Sequence, residues 1–138
     1  MRHPLHPMLV HVPVACWLLM PLSDGIALLL GMMPLWQVSA TLAAVGVAWG
    51  ALAATAGAMD YARADRVAPR LVRAHAALMA GAWTVSLIGL FGRFAEGQAV
   101  LPPPGWAIAA GLVALVLMIA GAWCGGEMVY GRGIGVSR

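Results

Sequence analysis

The sequence predicts an all-α membrane protein in which four transmembrane helices form an up-down antiparallel bundle, as a single domain over residues 1–138. Three observations predict this fold class. The chain of 138 residues is 62% hydrophobic and only 9% charged, whereas a soluble domain carries about 25% charged residues. Four apolar segments are each long enough to cross a bilayer, which takes about 20 helical residues. Short connections between these segments favour helices that return beside their neighbours.

The four predicted spans cover residues 7–31, 36–59, 71–91 and 106–126. Asp24 is the only charged residue in the first span, and the second span has none. The third contains Arg73 near its start, followed by His75. A Gly-Met-Met-Pro stretch separates the first two spans, and a Leu-Pro-Pro-Pro-Gly stretch separates the last two. Both stretches are typical of turns that stop a helix.

Arginines are unevenly distributed between the two ends of the predicted bundle. Only Arg93 falls at one end, and the other seven fall at the opposite end: Arg2, Arg63, Arg66, Arg70, Arg73, Arg132 and Arg138. The positive-inside rule therefore predicts that both termini and the loop between the second and third spans face the cytoplasm. The lipid bilayer of the inner (cytoplasmic) membrane is the predicted surrounding, and no nucleic-acid partner is expected.

Two histidines are predicted at similar depth, near the cytoplasmic ends of the first and third helices. Pro7 suits the first helical position, which makes His6 the expected capping residue. His11 then lies just over one turn inside the first helix. Pro13 removes one helical hydrogen bond and is expected to bend the helix near His11. His75 lies at the corresponding depth in the third helix.

Two imidazoles on diagonal helices can clamp one metal-centred macrocycle between them. Neighbouring axes about 8–10 Å apart place diagonal axes roughly 12–14 Å apart, and imidazole is a suitable ligand for iron. His11 and His75 are therefore the predicted ligands of a haem b. Arg70 and Arg73 lie at the same end and are predicted to pair with its propionates. A histidine near a membrane interface can also serve in hydrogen bonding alone, and that interpretation stays open.

A non-haem metal site is the alternative use of the same end of the bundle. His6, His11 and His75 can be joined there by the carboxylates of Asp60 and Glu127. Two histidines with a carboxylate can bind iron, and three imidazoles can bind zinc. The sequence has no C-x-x-C-H motif, which excludes covalently attached c-type haem.

Two further features of the spans require an explanation. Asp24 is expected to form a helix–helix hydrogen bond with Ser23, Ser39 or Thr41, or else to serve a proton path. Small residues recur four apart as Gly46-xxx-Gly50 in the second span and Gly121-xxx-Gly125 in the fourth. Such stripes are typical of close helix packing within a bundle, and they can also admit a flat cofactor.

Several motifs together resemble a known family. They are His6-Pro7-Met8-Leu9-Val10-His11-Val12-Pro13, Asp24, Arg73-Ala74-His75-Ala76, Gly125-Gly126-Glu127-Met128-Val129-Tyr130 and Gly133-Ile134-Gly135-Val136. Their order resembles the bacterial membrane proteins catalogued as domain of unknown function 2231, over nearly the whole chain. Val12 departs from the pattern, because an aromatic residue is expected there.

This resemblance implies a four-helix fold in a bacterial membrane. It also implies a loose link to redox proteins, because relatives occur joined to Rieske-type iron–sulfur or cytochrome modules. The family's histidines correspond to His6, His11 and His75 here, and the resemblance does not say what they bind.

The predicted function is that of a small b-type cytochrome-like subunit, with haem between the first and third helices and electron transfer to or from the quinone pool or a redox partner protein. The alternatives are a cofactor-free structural or assembly subunit and a non-haem metal-binding membrane protein. Assembly into a homo- or hetero-oligomer stays open. No arrangement of serine, cysteine or carboxylate typical of a hydrolase occurs, so an electron-transfer or accessory subunit is favoured over a stand-alone enzyme.

Overall fold

The protein is helical almost throughout the residues that its computed structural model describes, which are 5–64 and 68–134. Within these residues, four segments are long and apolar enough to cross a membrane: Leu5–Leu30, Met33–Met59, Pro69–Arg93 and Gly105–Gly131. We call them the first to fourth spans. The predicted fold class, a bundle of four membrane-spanning helices, is confirmed. Among the arginines that predict the orientation, Arg2, Arg66 and Arg138 lie outside the described residues, as does the side chain of Arg63.

The first span consists of two helices with an interruption between them. Helix α1 (Leu5–Leu9) is followed by α2 (His11–Leu30), and Val10 lies between them. Pro13 has no N–H to donate within the helix, so the interruption occurs in the region where a bend was predicted. His6 lies inside α1 and does not cap it, contrary to the prediction. A proline in the first turn needs no hydrogen-bond partner for its nitrogen, and this lets the chain become helical before Pro7.

The remaining helices are joined by compact turns. Helix α3 (Met33–Ala64) follows Gly31, whose φ of 66° ends α2 in the left-handed conformation that glycine adopts readily. Helix α4 (Pro69–Arg93) leads into a two-stranded hairpin of β1 (Phe94–Ala95) and β2 (Gln98–Ala99). Helix α5 (Gly105–Gly126) continues into a π-helical turn, Glu127–Gly131. The third span therefore ends at Arg93, two residues beyond its predicted end.

The four spans associate as two helical hairpins. The first span packs chiefly against the second, and the third packs chiefly against the fourth, while the contacts that join these two pairs are less extensive. We call the first pair the N-terminal hairpin and the second pair the C-terminal hairpin. The first and third spans lie diagonally, as expected for an up-down bundle. A boundary between the two hairpins therefore runs along the centre of the bundle.

The glycine stripe of the second span is filled by tryptophan rings. A Cβ at Gly46 would lie 2.7 Å from Nε1 of Trp17, and a Cβ at Gly50 would lie 2.9 Å from Cδ1 of Trp83. Trp17 is only 2% exposed, and Trp83 donates its Nε1–H to the carbonyl of Val47 at 2.9 Å. At these two positions the stripe therefore allows close packing within the bundle, which is more common for such stripes than admission of a flat cofactor.

Candidate cofactor site

His6 and His75 meet near one end of the bundle. Their ring centroids are 6.4 Å apart, and their ring planes are nearly perpendicular, at 88°. His6 lies in α1 and His75 in α4, so the rings approach across the diagonal of the bundle. We call this end of the molecule the histidine end. Both side chains are half-buried.

Each imidazole is oriented by a backbone carbonyl of another span. His6 Nδ1 lies 2.7 Å from the carbonyl oxygen of Ala53, and His75 Nδ1 lies 2.8 Å from that of Gly121. A carbonyl oxygen only accepts hydrogen bonds, so Nδ1 carries the proton in both rings. In the neutral imidazole, Nε2 then keeps its lone pair. Among the described residues, neither Nε2 has a hydrogen-bond partner.

This hydrogen-bond pattern is typical of histidines that bind a metal. Metal-binding histidines almost always donate the other ring N–H to a carboxylate, a carbonyl or water, which fixes the tautomer and the ring orientation. His6 and His75 both satisfy this condition through Nδ1.

Glycines allow both rings to lie close to the helices that orient them. A Cβ at Gly57 would lie 2.9 Å from both Cε1 and Nδ1 of His6, and a Cβ at Gly125 would lie 3.3 Å from Cε1 of His75. Gly125 belongs to the small-residue stripe of the fourth span, and Gly57 extends that of the second span, seven residues after Gly50. The stripes therefore contained the signal for these two positions, although it did not show that an imidazole would lie on each.

His11 lies on the outer surface of the first span, away from His75. Its side chain is exposed, and its Nδ1 is 3.4 Å from the carbonyl oxygen of Met8, one turn earlier. His6 lies in α1 and His11 begins α2, so the interruption at Val10 separates them, and of the two only His6 projects into the bundle. The structure therefore brings His6 to His75, in the place where His11 was expected.

The other predicted site residues lie at the histidine end but outside this pair. Arg70 and Arg73 are exposed in the first turns of α4, and Nε of Arg73 donates to the carbonyl of Pro69 at 3.1 Å. Glu127 is exposed at the start of the π-helical turn. Within residues 5–64 and 68–134, no group of three or more histidine, cysteine or carboxylate side chains could hold a metal ion. The side chain of Asp60 is outside this description.

The spacing of the two imidazoles suits a pair of ligands on opposite sides of one metal ion. A metal–nitrogen bond is about 2.0–2.1 Å, which with about 1.1 Å from nitrogen to ring centre gives about 6.3 Å between centroids. The observed 6.4 Å is close to this value. His6 is held by the N-terminal hairpin and His75 by the C-terminal hairpin, so the boundary between the hairpins passes between the rings. A flat group inserted along this boundary would have one imidazole on each face.

A second polar cluster lies at the other end of the bundle and is completely buried. Asp24 and Ser39 are 0% exposed and Arg93 is 1% exposed. Nη1 of Arg93 donates to Oδ1 of Asp24 at 3.0 Å and to Oγ of Ser39 at 2.6 Å, and Nη2 donates to the other carboxylate oxygen. Ser39 in turn donates to Asp24. We call these three residues the ion-pair cluster.

The ion-pair cluster was only partly predicted from the sequence. Ser39 was among the expected hydrogen-bond partners of Asp24, and the structure shows this bond. Arg93 was placed beyond the end of the third span, whereas it is the last residue of α4 and its side chain points inward. The sequence contained a signal for this pair, since the only charged residue of the first predicted span and the only arginine predicted at the outer end of the bundle occur toward the same end.

Comparison with known proteins agrees with the membrane fold. No curated protein and no solved structure matches the chain significantly. The model of one protein family matches residues 2–138, and that family is described as "Predicted membrane protein (DUF2231)". Since the match covers nearly every residue, the chain belongs to this family of predicted membrane proteins, whose shared domain has no established function.

Proposed function

We propose that this protein is a small b-type cytochrome-like membrane subunit that carries one haem b between the first and third spans, and that His6 and His75 would be the residues that hold it. Electrons would pass between this haem and the quinone pool or a redox partner protein. The observation that supports the proposal is the imidazole pair itself. Both rings have Nδ1 bonded to a carbonyl, both have Nε2 unpartnered among the described residues, and their centroids are 6.4 Å apart.

The ligand set favours a macrocycle over a bare metal ion. Two imidazoles supply two nitrogen ligands, and the described residues offer no third histidine, cysteine or carboxylate to complete a protein-only site. Porphyrin supplies four nitrogens in a plane and needs only two axial ligands from the protein. The boundary between the two hairpins passes between the two imidazoles, so a planar group bound by both would lie on this boundary. These points favour haem over the non-haem alternative.

Haem supplies one-electron chemistry, and the residues of this chain determine how it is held. The carbonyls of Ala53 and Gly121 accept from Nδ1, which increases the basicity of each Nε2 toward iron. The apolar helices around the pair lower the local dielectric constant, and this influences the reduction potential. Arg70 and Arg73, exposed at the same end, are the proposed partners of the propionates.

The proposed setting is a bacterial inner membrane with both termini in the cytoplasm. Support comes from the four apolar spans and from the excess of arginine at the histidine end. In this orientation the haem would lie in the cytoplasmic half of the bilayer.

Alanine variants of three histidines test the ligand assignment. Each is purified in detergent from cells supplied with haem, and the haem content per chain is measured. His6→Ala and His75→Ala are expected to lose haem or to retain it without a six-coordinate low-spin spectrum, and added imidazole should restore that spectrum. His11→Ala is the matched control and should behave like the parent. Full retention by His6→Ala or His75→Ala would refute the assignment, and loss in His11→Ala alone would identify His11 as a ligand.

A further inference from the structure

The ion-pair cluster crosses the same boundary as the histidine pair. Asp24 and Ser39 belong to the N-terminal hairpin, and Arg93 belongs to the C-terminal hairpin. All the hydrogen bonds that Arg93 makes within the cluster therefore join one hairpin to the other. This pattern resembles the histidine pair, in which each hairpin also contributes one member.

The two sites are spaced equally along the helices that connect them. Asp24 is 18 residues after His6, and Arg93 is 18 residues after His75. In the third span, which is one continuous helix, eighteen residues make five whole turns, about 27 Å, so His75 and Arg93 project from about the same face. In the first span, which is interrupted at Val10, His6 and Asp24 both face the C-terminal hairpin, because each lies beside a residue of it. The boundary between the hairpins therefore has an ionic contact at one end and an imidazole pair at the other.

Complete burial makes the ionic contact sensitive to register. A slip of one helical turn moves one hairpin by about 5.4 Å, which would separate Arg93 from Asp24 and leave both charges unpaired inside the bundle. An unpaired charge in the hydrocarbon region is costly. Buried ion pairs often add little net stability, and fixing the register is the best attested of their roles.

We propose that the ion-pair cluster positions the two histidines by fixing how far one hairpin is shifted along the other. A slip of one turn is close in size to the 6.4 Å that separates the imidazole centroids, so an incorrect register would remove one ring from the reach of a shared ligand. The cluster also fixes one end of the boundary and leaves the histidine end to admit the ligand. The role in haem binding rests on the proposed function, whereas the role in hairpin register does not.

The variant Asp24→Leu/Arg93→Leu tests this role without leaving a lone buried charge. Spin labels are attached at Met8→Cys, at the histidine end of the N-terminal hairpin, and at Ile88→Cys, toward the ion-pair end of the C-terminal hairpin. Both positions are exposed, and the vector between them has a large component along the helices, so a slip of one hairpin changes the distance. The native cysteines are replaced by alanine, and distances are measured by pulsed electron resonance on haem-free protein. The parent should give one narrow distribution. The double variant should give a distribution that is broadened or is displaced by several ångströms, with the rise of one turn, about 5 Å, as the upper limit.

Two further variants make the distance measurement decisive. Glu96→Gln removes an exposed charge near the ion-pair end and should leave the distribution unchanged. Arg93→Lys keeps the charge but loses the two-pronged contact, and it should broaden the distribution less than the double variant does. If the double variant does not fold, Arg93→Lys decides the question, since an unchanged distribution would refute the positioning role. An unchanged distribution in a folded double variant would refute it as well.

Haem uptake by the same proteins separates this proposal from the proposed function. If the parent binds haem and the double variant shows a reduced haem affinity with a heterogeneous low-spin spectrum, both proposals are supported. A parent that takes up no haem, together with a displaced distance distribution in the double variant, refutes only the haem proposal. A double variant with the parent's haem affinity and spectrum refutes the positioning role alone.

Discussion

At the scale of single residues, the two imidazoles owe their orientation to carbonyl groups of neighbouring spans. His6 is held by Ala53 and His75 by Gly121, so each ring bridges two helices of its own hairpin. The ring planes are then fixed independently, and they differ by 88°. This angle has a spectroscopic consequence, because the electronic asymmetry of low-spin ferric iron depends on the relative orientation of its two axial imidazoles.

Electron paramagnetic resonance of the oxidised protein measures this angle. Nearly perpendicular imidazole planes leave two iron d orbitals almost equal in energy, so we expect a highly anisotropic low-spin signal. His11→Ala should show the same signal. A rhombic low-spin signal, which is typical of parallel imidazole planes, would contradict the ring arrangement seen in the structure.

A methyl group added at Gly57 should weaken haem binding. The new Cβ would lie 2.9 Å from two atoms of the His6 ring, so the ring must move and its hydrogen bond to Ala53 is strained. Loss of such an orienting bond lowers metal affinity by about 10-fold to 100-fold. Haem dissociation measured by transfer to an apoprotein acceptor should be faster by a comparable factor in Gly57→Ala.

Two other glycines calibrate this result. Gly125→Ala places its Cβ 3.3 Å from His75 and should have a smaller effect. Gly25 has no neighbouring atom within 4 Å of a built Cβ, so Gly25→Ala should leave haem binding unchanged. Equal dissociation rates for Gly57→Ala and Gly25→Ala would show that contact with the His6 ring does not matter.

The sequence predicted that histidines of the first and third spans lie at the same end of the bundle, but not that His6, rather than His11, would lie beside His75. Proline spacing indicated where the first helix would be interrupted, yet the phase of α1 relative to α2 decides which histidine faces inward. That phase depends on how Pro7 and Pro13 are accommodated together, and hydrophobic periodicity does not determine it. The sequence did not predict the burial of Arg93 for a related reason. A charged residue at the end of an apolar segment is ordinarily assigned to a loop, whereas the side chain of Arg93 points inward to the buried carboxylate of Asp24.

At the scale of helices, the molecule is organised as two hairpins rather than as four equivalent spans. Apolar length was sufficient to predict the spans, because a helix that crosses the bilayer must satisfy its own backbone hydrogen bonds. The pairing of spans into hairpins depends on which side chains fill the glycine stripes. Tryptophan rings fill the stripe of the second span, and Met79 and His75 fill that of the fourth.

Gly46→Ala should destabilise the N-terminal hairpin. Its Cβ would lie 2.7 Å from Nε1 of Trp17, a side chain that is 2% exposed and has little room to move. Overpacking of this kind costs about 1–3 kcal/mol, which denaturant titration in detergent micelles can measure. Gly25→Ala serves again as control, because removing a helical glycine at an open position favours the helix by about 0.5–1 kcal/mol. Equal stabilities of the two variants would contradict the close packing of Trp17 on the second span.

At the scale of the whole molecule, the histidine end and the ion-pair end are chemically distinct. The four spans of the described residues begin with Leu5 and finish with Gly131 at the same end of the bundle, which is also where the sequence predicts seven of the eight arginines. The sequence therefore predicted the overall architecture well, because composition and apolar length act over the entire chain. Side-chain partners between distant helices were less predictable, since they depend on helix phase and depth together.

Reporter fusions test the proposed orientation. Green fluorescent protein fused after Arg138 should fluoresce, and alkaline phosphatase fused there should be inactive, because the C-terminus is proposed to be cytoplasmic. The same reporters fused after Gly97, between the third and fourth spans, should give the opposite result. Active phosphatase after Arg138 would reverse the proposed orientation and place the histidine end at the outer leaflet.

The absorption spectrum of the purified protein tests most directly whether it is a cytochrome. The protein is produced in cells with ample haem, purified in detergent, and measured first oxidised and then reduced with dithionite. A Soret band that shifts on reduction, with sharp α and β bands, is the predicted result for haem held by His6 and His75. A featureless visible spectrum would contradict haem binding. It would favour a cofactor-free structural or assembly subunit, or a non-haem metal site if elemental analysis finds a bound metal.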